Sequence, residues 1–130
     1  MNGSWDSWPP ARPIRVDGVR GLAAVATPGA FAQVLATLME NSLMHGAGPV
    51  TIRTRTTGGS VVVEVCDEGP GVPPELGARV FERSVSGRSS TGLGLTVARE
   101  LAEADGGRLE LLQQRPPIFA VFLAAFDPLM

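Results

Sequence analysis

The stretch Ser60-Val61-Val62-Val63-Glu64-Val65-Cys66-Asp67-Glu68-Gly69-Pro70-Gly71 reads as a strand that runs into a loop. Near-continuous valine over residues 60–66 points to a strand buried on both faces, the pattern of a central position in a covered sheet. Asp67 closes the apolar run. The Gly-Pro-Gly turn that follows cannot continue a strand, so residues 67–74 form a loop.

Working outward, Gly58-Gly59 is a tight hairpin signal, and the Thr-rich alternation of residues 50–57 is the partner strand. Further upstream, Thr27 before Pro28 reads as an N-cap followed by a first-turn proline. From there to about His45, the positions Phe31, Val34, Leu35, Leu38 and Ser42 recur at spacings of three and four, so the segment is an amphipathic helix. Gly46 and Gly48 stop it. Residues 14–19 and 22–26 are short β-prone runs split by Gly21 and read as a pair of strands. Downstream, residues 75–81 suit a short helix. Residues 83–91 are polar, small and uncapped, the composition of a mobile loop. Residues 93–105 form a second helix with Leu93, Val97, Leu101 and Ala104 on one stripe, terminated by Gly106-Gly107. Residues 109–113 and 118–126 are the last strands, joined around Pro116-Pro117. Strands joined by hairpins, with helices on one side, predict an α/β (α+β) two-layer sandwich: a mixed sheet packed on about three helices.

A chain of 130 residues with 44% hydrophobic residues suits one core. Residues 14–130 are assigned to it, and residues 1–13, with Trp5 and Trp8, to an irregular arm or a cloning remnant. The net charge of −2 leaves no basic footprint for nucleic acid, so an anionic ligand must be held by local donors. The single Cys66 cannot form an internal disulfide and reads as a small buried strand residue in a protein of the reducing cytosol. No segment approaches the roughly 20 apolar residues of a membrane helix, and the first 13 residues lack the pattern of a secretory signal.

Three segments carry chemistry. On the first helix Thr37, Asn41 and His45 stand four apart and share one face at the border of the apolar stripe. An amide there needs a partner, either a neighbouring backbone group or a Mg²⁺ ion, which prefers oxygen ligands shared with phosphate and water. His45 is placed to donate to a phosphate or to meet the last carbonyls of the helix. Glu40 is placed to orient a water or a metal ligand, or to face solvent. Asp67, partly desolvated at a strand end, must accept hydrogen bonds. An exocyclic amine such as adenine's satisfies it, as does a local Asx-turn. Gly69 and Gly71 would let a flat base lie against the backbone. Thr91-Gly92-Leu93-Gly94-Leu95 opens the second helix, whose N-terminal amides and dipole favour anions. Arg83 and Arg88 precede it, and Arg88, nearer the glycines, is the preferred partner for a terminal phosphate.

Taken together and in this order, these segments resemble the ATP-binding domain of sensor histidine kinases, in the wider class of GHKL ATPases that includes gyrase, MutL and the bacterial anti-sigma kinases. Residues 33–45 are similar to the family's asparagine box, Asp67 to Pro73 to its first glycine box, Val80-Phe81-Glu82-Arg83 to its phenylalanine box, and residues 91–109 to its second glycine box with the following helix and strand. The resemblance implies the Bergerat fold, ATP with Mg²⁺, and transfer of the γ-phosphoryl group to a histidine. It implies Asn41 as metal ligand and Asp67 as adenine reader. Gly92 to Leu95 become the phosphate loop, and Gly69, Gly71, Val72, Phe81 and Arg83 line the nucleotide site. The acceptor histidine is implied on a separate helical dimerisation domain, with a response regulator downstream and a parent kinase that can be membrane-anchored. The isolated domain is expected to be monomeric, cytoplasmic and free of membrane contact. The chain departs from the family pattern at Thr37, Met44 and Ser90. An anti-sigma factor serine kinase and a degenerate, non-catalytic nucleotide-binding module are the alternatives.

Overall fold

The valine run lies at the centre of a six-stranded sheet. The computed structural model describes residues 14–82 and 94–126. Within them the strands are β1 (Ile14–Gly18), β2 (Ala24–Val25), β3 (Val50–Thr57), β4 (Ser60–Cys66), β5 (Arg108–Gln113) and β6 (Ile118–Ala125). Two α-helices, α1 (Pro28–His45) and α2 (Gly94–Ala104), accompany a 3-10 helix at Gly77–Phe81. The third helical segment expected from the sequence is this 3-10 helix, two residues shorter at its start than residues 75–81. Trp5, Trp8, Arg83, Arg88, Ser90, Thr91, Gly92 and Leu93 lie outside the described residues, as does the expectation of a mobile loop at 83–91.

The sheet runs β1-β3-β4-β6, and β5 and β2 share the far side of β6. β1 pairs parallel with β3, and the other pairs are antiparallel. The first two strands therefore do not pair with each other. β1 takes Ile14 to Val50 on one edge, whereas β2 takes Ala24 to Ala125 on the other. Local sequence makes both segments extended, but their partners are set by what lies free on each edge of the hairpin sheet. The Gly58-Gly59 turn is a two-residue hairpin with Gly58 at φ +56°, a left-handed conformation that glycine adopts without strain.

Because β4 alternates faces, Val61, Val63 and Val65 join Phe119, Val121 and Leu123 of β6 beneath the helices. Val34 and Leu38 of α1 and Leu95, Ala98 and Ala102 of α2 complete that core. The buried stripe of α2 is thus Leu95, Ala98 and Ala102; Val97 and Ala104, expected on the stripe, are exposed. Leu101, also expected on the stripe, packs partly buried against the core.

No helix among the described residues covers the opposite face, yet Val62 and Ala120 there have no exposed surface. Long charged side chains clothe them. The Arg108 guanidinium lies 4.1 Å from the Phe122 ring centroid, and Arg108 also pairs with Glu110. Glu64, 6% exposed, accepts from Arg55 Nε at 2.9 Å and Arg53 Nη1 at 3.5 Å. A carboxylate so buried is tolerated because both cations remain partly in water.

Thr27 does not cap α1 with its own side chain. Its hydroxyl donates to Asp105 Oδ1 at 2.7 Å and its amide to Asp105 Oδ2 at 2.8 Å. These bonds hold the Asp105 carboxyl below its ordinary range. The carboxylate binds the start of α1 to the end of α2, where it also meets the positive end of the α1 dipole. Gly106, at φ +81°, then turns the chain into β5.

Candidate functional site

Two loops meet at Asp67. The chain leaving α1 at Gly46–Gly48 and the chain leaving β4 at Asp67–Gly69 are joined by Glu68 N–H donating to the Ala47 carbonyl at 2.8 Å. Asp67 is 5% exposed. Its Oδ1 accepts from Gly69 N–H at 2.7 Å, which is the Asx-turn weighed from the sequence. Its Oδ2 accepts no hydrogen bond from the described residues. The local turn and an external donor are therefore compatible, because each uses a different oxygen. A buried carboxylate oxygen without a donor is costly, and an exocyclic amine supplies what it lacks.

Glycines make the approach possible. A Cβ on Gly46 would collide with the Asp67 carboxyl group, and one on Gly69 would stand 2.7 Å from Gly46 Cα. Gly71, at φ +79°, presses against the Gln114 carbonyl, which accepts from Val72 N–H at 3.0 Å. The turn between β5 and β6 thus fixes the far end of the loop. Val72 itself is buried in the core cluster, so its side chain anchors the loop from beneath.

On α1, Asn41 is half-buried and its side chain makes no hydrogen bond with the described residues. It stands five positions before Gly46, about 7.5 Å along the helix axis. Ser42, next to it, is fully buried. Thr37, one turn earlier, accepts from Gln33 Nε2 at 3.2 Å. Glu40 and His45 are exposed, and the last turn of α1 is closed by Gly46 N–H on the Ser42 carbonyl. At the start of α2, Leu95 is buried while Gly94 is partly open. α2 packs along α1 and against the 3-10 helix. Phe81 is buried with its ring edge-on to Phe119, the centroids 6.0 Å apart. Burial raises the Cys66 thiol above its ordinary range, nearby Arg53 opposing and Glu64 and Asp67 reinforcing the shift. Cys66 is the last residue of β4 and is half-buried, more open than the buried strand position its place in the valine run suggests.

Three contributors escaped sequence reading. Gly46 reads only as a helix stop, yet its missing side chain is what lets Asp67 sit against the helix end. Gln114 acts through its backbone carbonyl and leaves no residue-type signal. Thr96 donates to the Phe81 carbonyl at 2.6 Å, a contact across 15 positions that no local pattern announces.

A half-buried amide on one helix and a carboxylate oxygen without a donor at that helix's end lie on one side of an α/β sandwich. The model of the family described as "Histidine kinase-, DNA gyrase B-, and HSP90-like ATPase" matches residues 26–124, and the chain belongs to that family. It is 33% identical over 102 residues to the signal transduction histidine-protein kinase AfsQ2 of Streptomyces coelicolor, an alignment covering 74% of this chain and 19% of that protein. Among solved structures, the catalytic domain of histidine kinase ThkA superimposes with a TM-score of 0.75 at 24% identity, over 86% of this chain and 78% of that one. Full-length ShkA in complex with AMPPNP gives 0.70 at 26% identity, over 90% of this chain and 27% of that one. The chain spans less than a third of the length of the curated relatives it matches. The curled mixed sheet with its helices on one face is the fold of histidine kinase catalytic domains, as the sequence predicts. No helix among the described residues is long and apolar enough to cross a membrane.

Proposed function

We propose that this domain binds ATP with Mg²⁺ and presents the γ-phosphoryl group to a histidine on a separate helical domain. The observation that carries this reading is the buried Asp67, with Oδ1 committed to its own loop and Oδ2 open to an amine donor. Asp67 would read the adenine amine, with Gly69 and Gly71 leaving room for the ring. Asn41 would ligate the metal through its amide oxygen. Among the described residues no group of three or more His, Cys, Asp or Glu could hold a metal alone, so Mg²⁺ would be shared with phosphate oxygens. Mg²⁺ supplies charge neutralisation across the phosphates. The first turn of α2, with Gly92 to Leu95, would take the phosphates, and His45, Arg83 and Arg88 would add donors. Glu40 would orient a water beside the metal. Val72 and Phe81 would support the site from the core.

Such a site contributes positioning and electrostatics, which is most of what phosphoryl transfer needs from a protein. The acceptor imidazole comes from the partner, because the chain's single histidine, His45, ends α1 itself. The name of AfsQ2 places that relative in signal transduction. By analogy this domain serves a two-component kinase on the cytoplasmic side, with a response regulator as the onward acceptor. In isolation it is a monomer.

Calorimetric titration with ATP, with and without Mg²⁺, tests the reading. Binding at micromolar dissociation constant or tighter that requires Mg²⁺, with ATP preferred over GTP, is the expected result. Asn41→Ala should abolish the Mg²⁺ dependence and Asp67→Asn the preference for adenine. No binding to the wild-type domain, or equal affinity for ATP and GTP, would overturn it.

A further inference from the structure

Phe81, the last residue of the 3-10 helix, is held to α2 by two contacts outside the nucleotide-binding set. The Thr96 hydroxyl donates to its carbonyl at 2.6 Å, and the Arg99 guanidinium lies 5.2 Å from its ring centroid. Arg99 is itself steadied by Glu103 one turn on, at 3.3 Å. On its other side the Phe81 ring meets Phe119 of β6 edge-on. Thr96 stands in the first turn of α2, where a hydroxyl ordinarily bonds its own helix backbone. Here it reaches outward instead, to a carbonyl of a residue only 5% exposed. The first turn of α2 is thereby fixed to an element that is fixed to the sheet.

We propose that Thr96 is a positioning residue for nucleotide phosphates: its bond to the Phe81 carbonyl holds the first turn of α2 at the angle that presents its amides to the phosphate chain. The proposal rests on the ATP-site reading above and assigns it a device that reading does not contain. Helix N-termini bind anions through amides and dipole together, and both depend on direction. Without the bond, Phe81 keeps a buried carbonyl without its donor, and the first turn of α2 loses its one hydrogen bond to the 3-10 helix among those described. Adenine would be held at the other end, by Asp67 in the loop just past β4, and would not feel that tilt. The selectivity of the effect for phosphate over base therefore distinguishes positioning from general loosening.

The test compares ATP, ADP and adenosine binding to the wild type, Thr96→Val and Thr96→Ser, with thermal unfolding measured alongside. Valine keeps the branched shape and removes the donor; serine keeps the donor. Thr96→Val should lose about tenfold in ATP affinity, the factor that 1.4 kcal/mol carries. Its ADP affinity should fall less and its adenosine affinity not at all, and Thr96→Ser should bind as the wild type does. Unchanged ATP affinity in Thr96→Val, or equal losses for ATP and adenosine, would overturn the proposal while leaving the ATP site standing. A wild-type domain that binds neither would overturn the site reading, and the proposal with it. If Thr96→Val unfolds below the assay temperature, Thr96→Ala, which also lacks the donor and is a better helix former, takes its place. A loss confined to the phosphate-bearing ligands then supports the proposal, and no change overturns it.

Discussion

Replacing Gly69 by alanine tests the adenine corner through a single methyl group. The new Cβ would stand 2.7 Å from Gly46 Cα, 2.8 Å from Asp67 Oδ1 and 2.9 Å from Ala47 N. Ordinary contact begins at 3.4 Å, so the two loops must part by about 0.7 Å at the closest atom. Two of the three obstacles are backbone, and the third is the oxygen that accepts from Gly69 N–H. None can swing aside as a flexible side chain would. The backbone conformation at Gly69 suits any residue, so the effect is one of space alone. Separation of the loops would displace the Asp67 carboxylate from the position in which Oδ2 would meet the proposed base. A hydrogen bond to a charged group contributes about 1.5–3 kcal/mol, so ATP affinity should fall by roughly 10- to 150-fold. Overpacking of this kind costs about 1–3 kcal/mol of stability, which thermal unfolding would show as a lower midpoint. Calorimetry on the folded variant, at a temperature where the melt shows it intact, separates the two effects. Wild-type ATP affinity in Gly69→Ala would refute the placement of adenine against Asp67.

Gly29→Ala supplies the converse: its Cβ meets nothing within 4 Å and the site lies in the first turn of α1, so stability should rise by up to about 0.5–1 kcal/mol with ATP binding unchanged. Calorimetric or optical melting checks it. Glu64→Ala removes the carboxylate shared by Arg53 and Arg55 beside Val62 and should destabilise the domain by about 1–3 kcal/mol in urea unfolding, less than a fully buried pair because both arginines reach water. Asp105→Asn weakens the grip on Thr27 and should lower the melting midpoint at pH 7. The folded-state pKa of Asp105 is depressed, so its contribution is present above the unfolded carboxylate range and vanishes as pH falls through the folded value. Melts from pH 7 down to pH 2 should show the wild-type advantage shrinking towards the acid end.

The segments legible in the sequence are those whose structure is decided locally. Residues 50–57 and 60–66 alternate or run apolar on either side of a diglycine, and both strands have those bounds in the structure. The helix from Pro28 to His45 follows from its apolar spacing and the glycine beyond it. Asp67, Gly69 and Gly71 stand out because a carboxylate at the end of a valine strand must find donors, whatever the fold.

Partners distant along the chain were beyond such reading. β1 and β2 look like neighbours and sit on opposite edges, because strand pairing depends on which edges remain open after the hairpins form. Thr27 looks like a cap, but Asp105, 78 positions away, takes its hydroxyl. On α2 the apolar spacing places Leu101 correctly against the core, but Val97 and Ala104 are exposed and the fully buried positions are Leu95, Ala98 and Ala102. Composition and periodicity determine which elements form and which residue types can bind a nucleotide. Only the tertiary structure decides that Gly46 yields space to Asp67, that Gln114 secures Val72 and that Thr96 secures Phe81, since each contact joins backbone or short side chains that have no signature until the chain has folded.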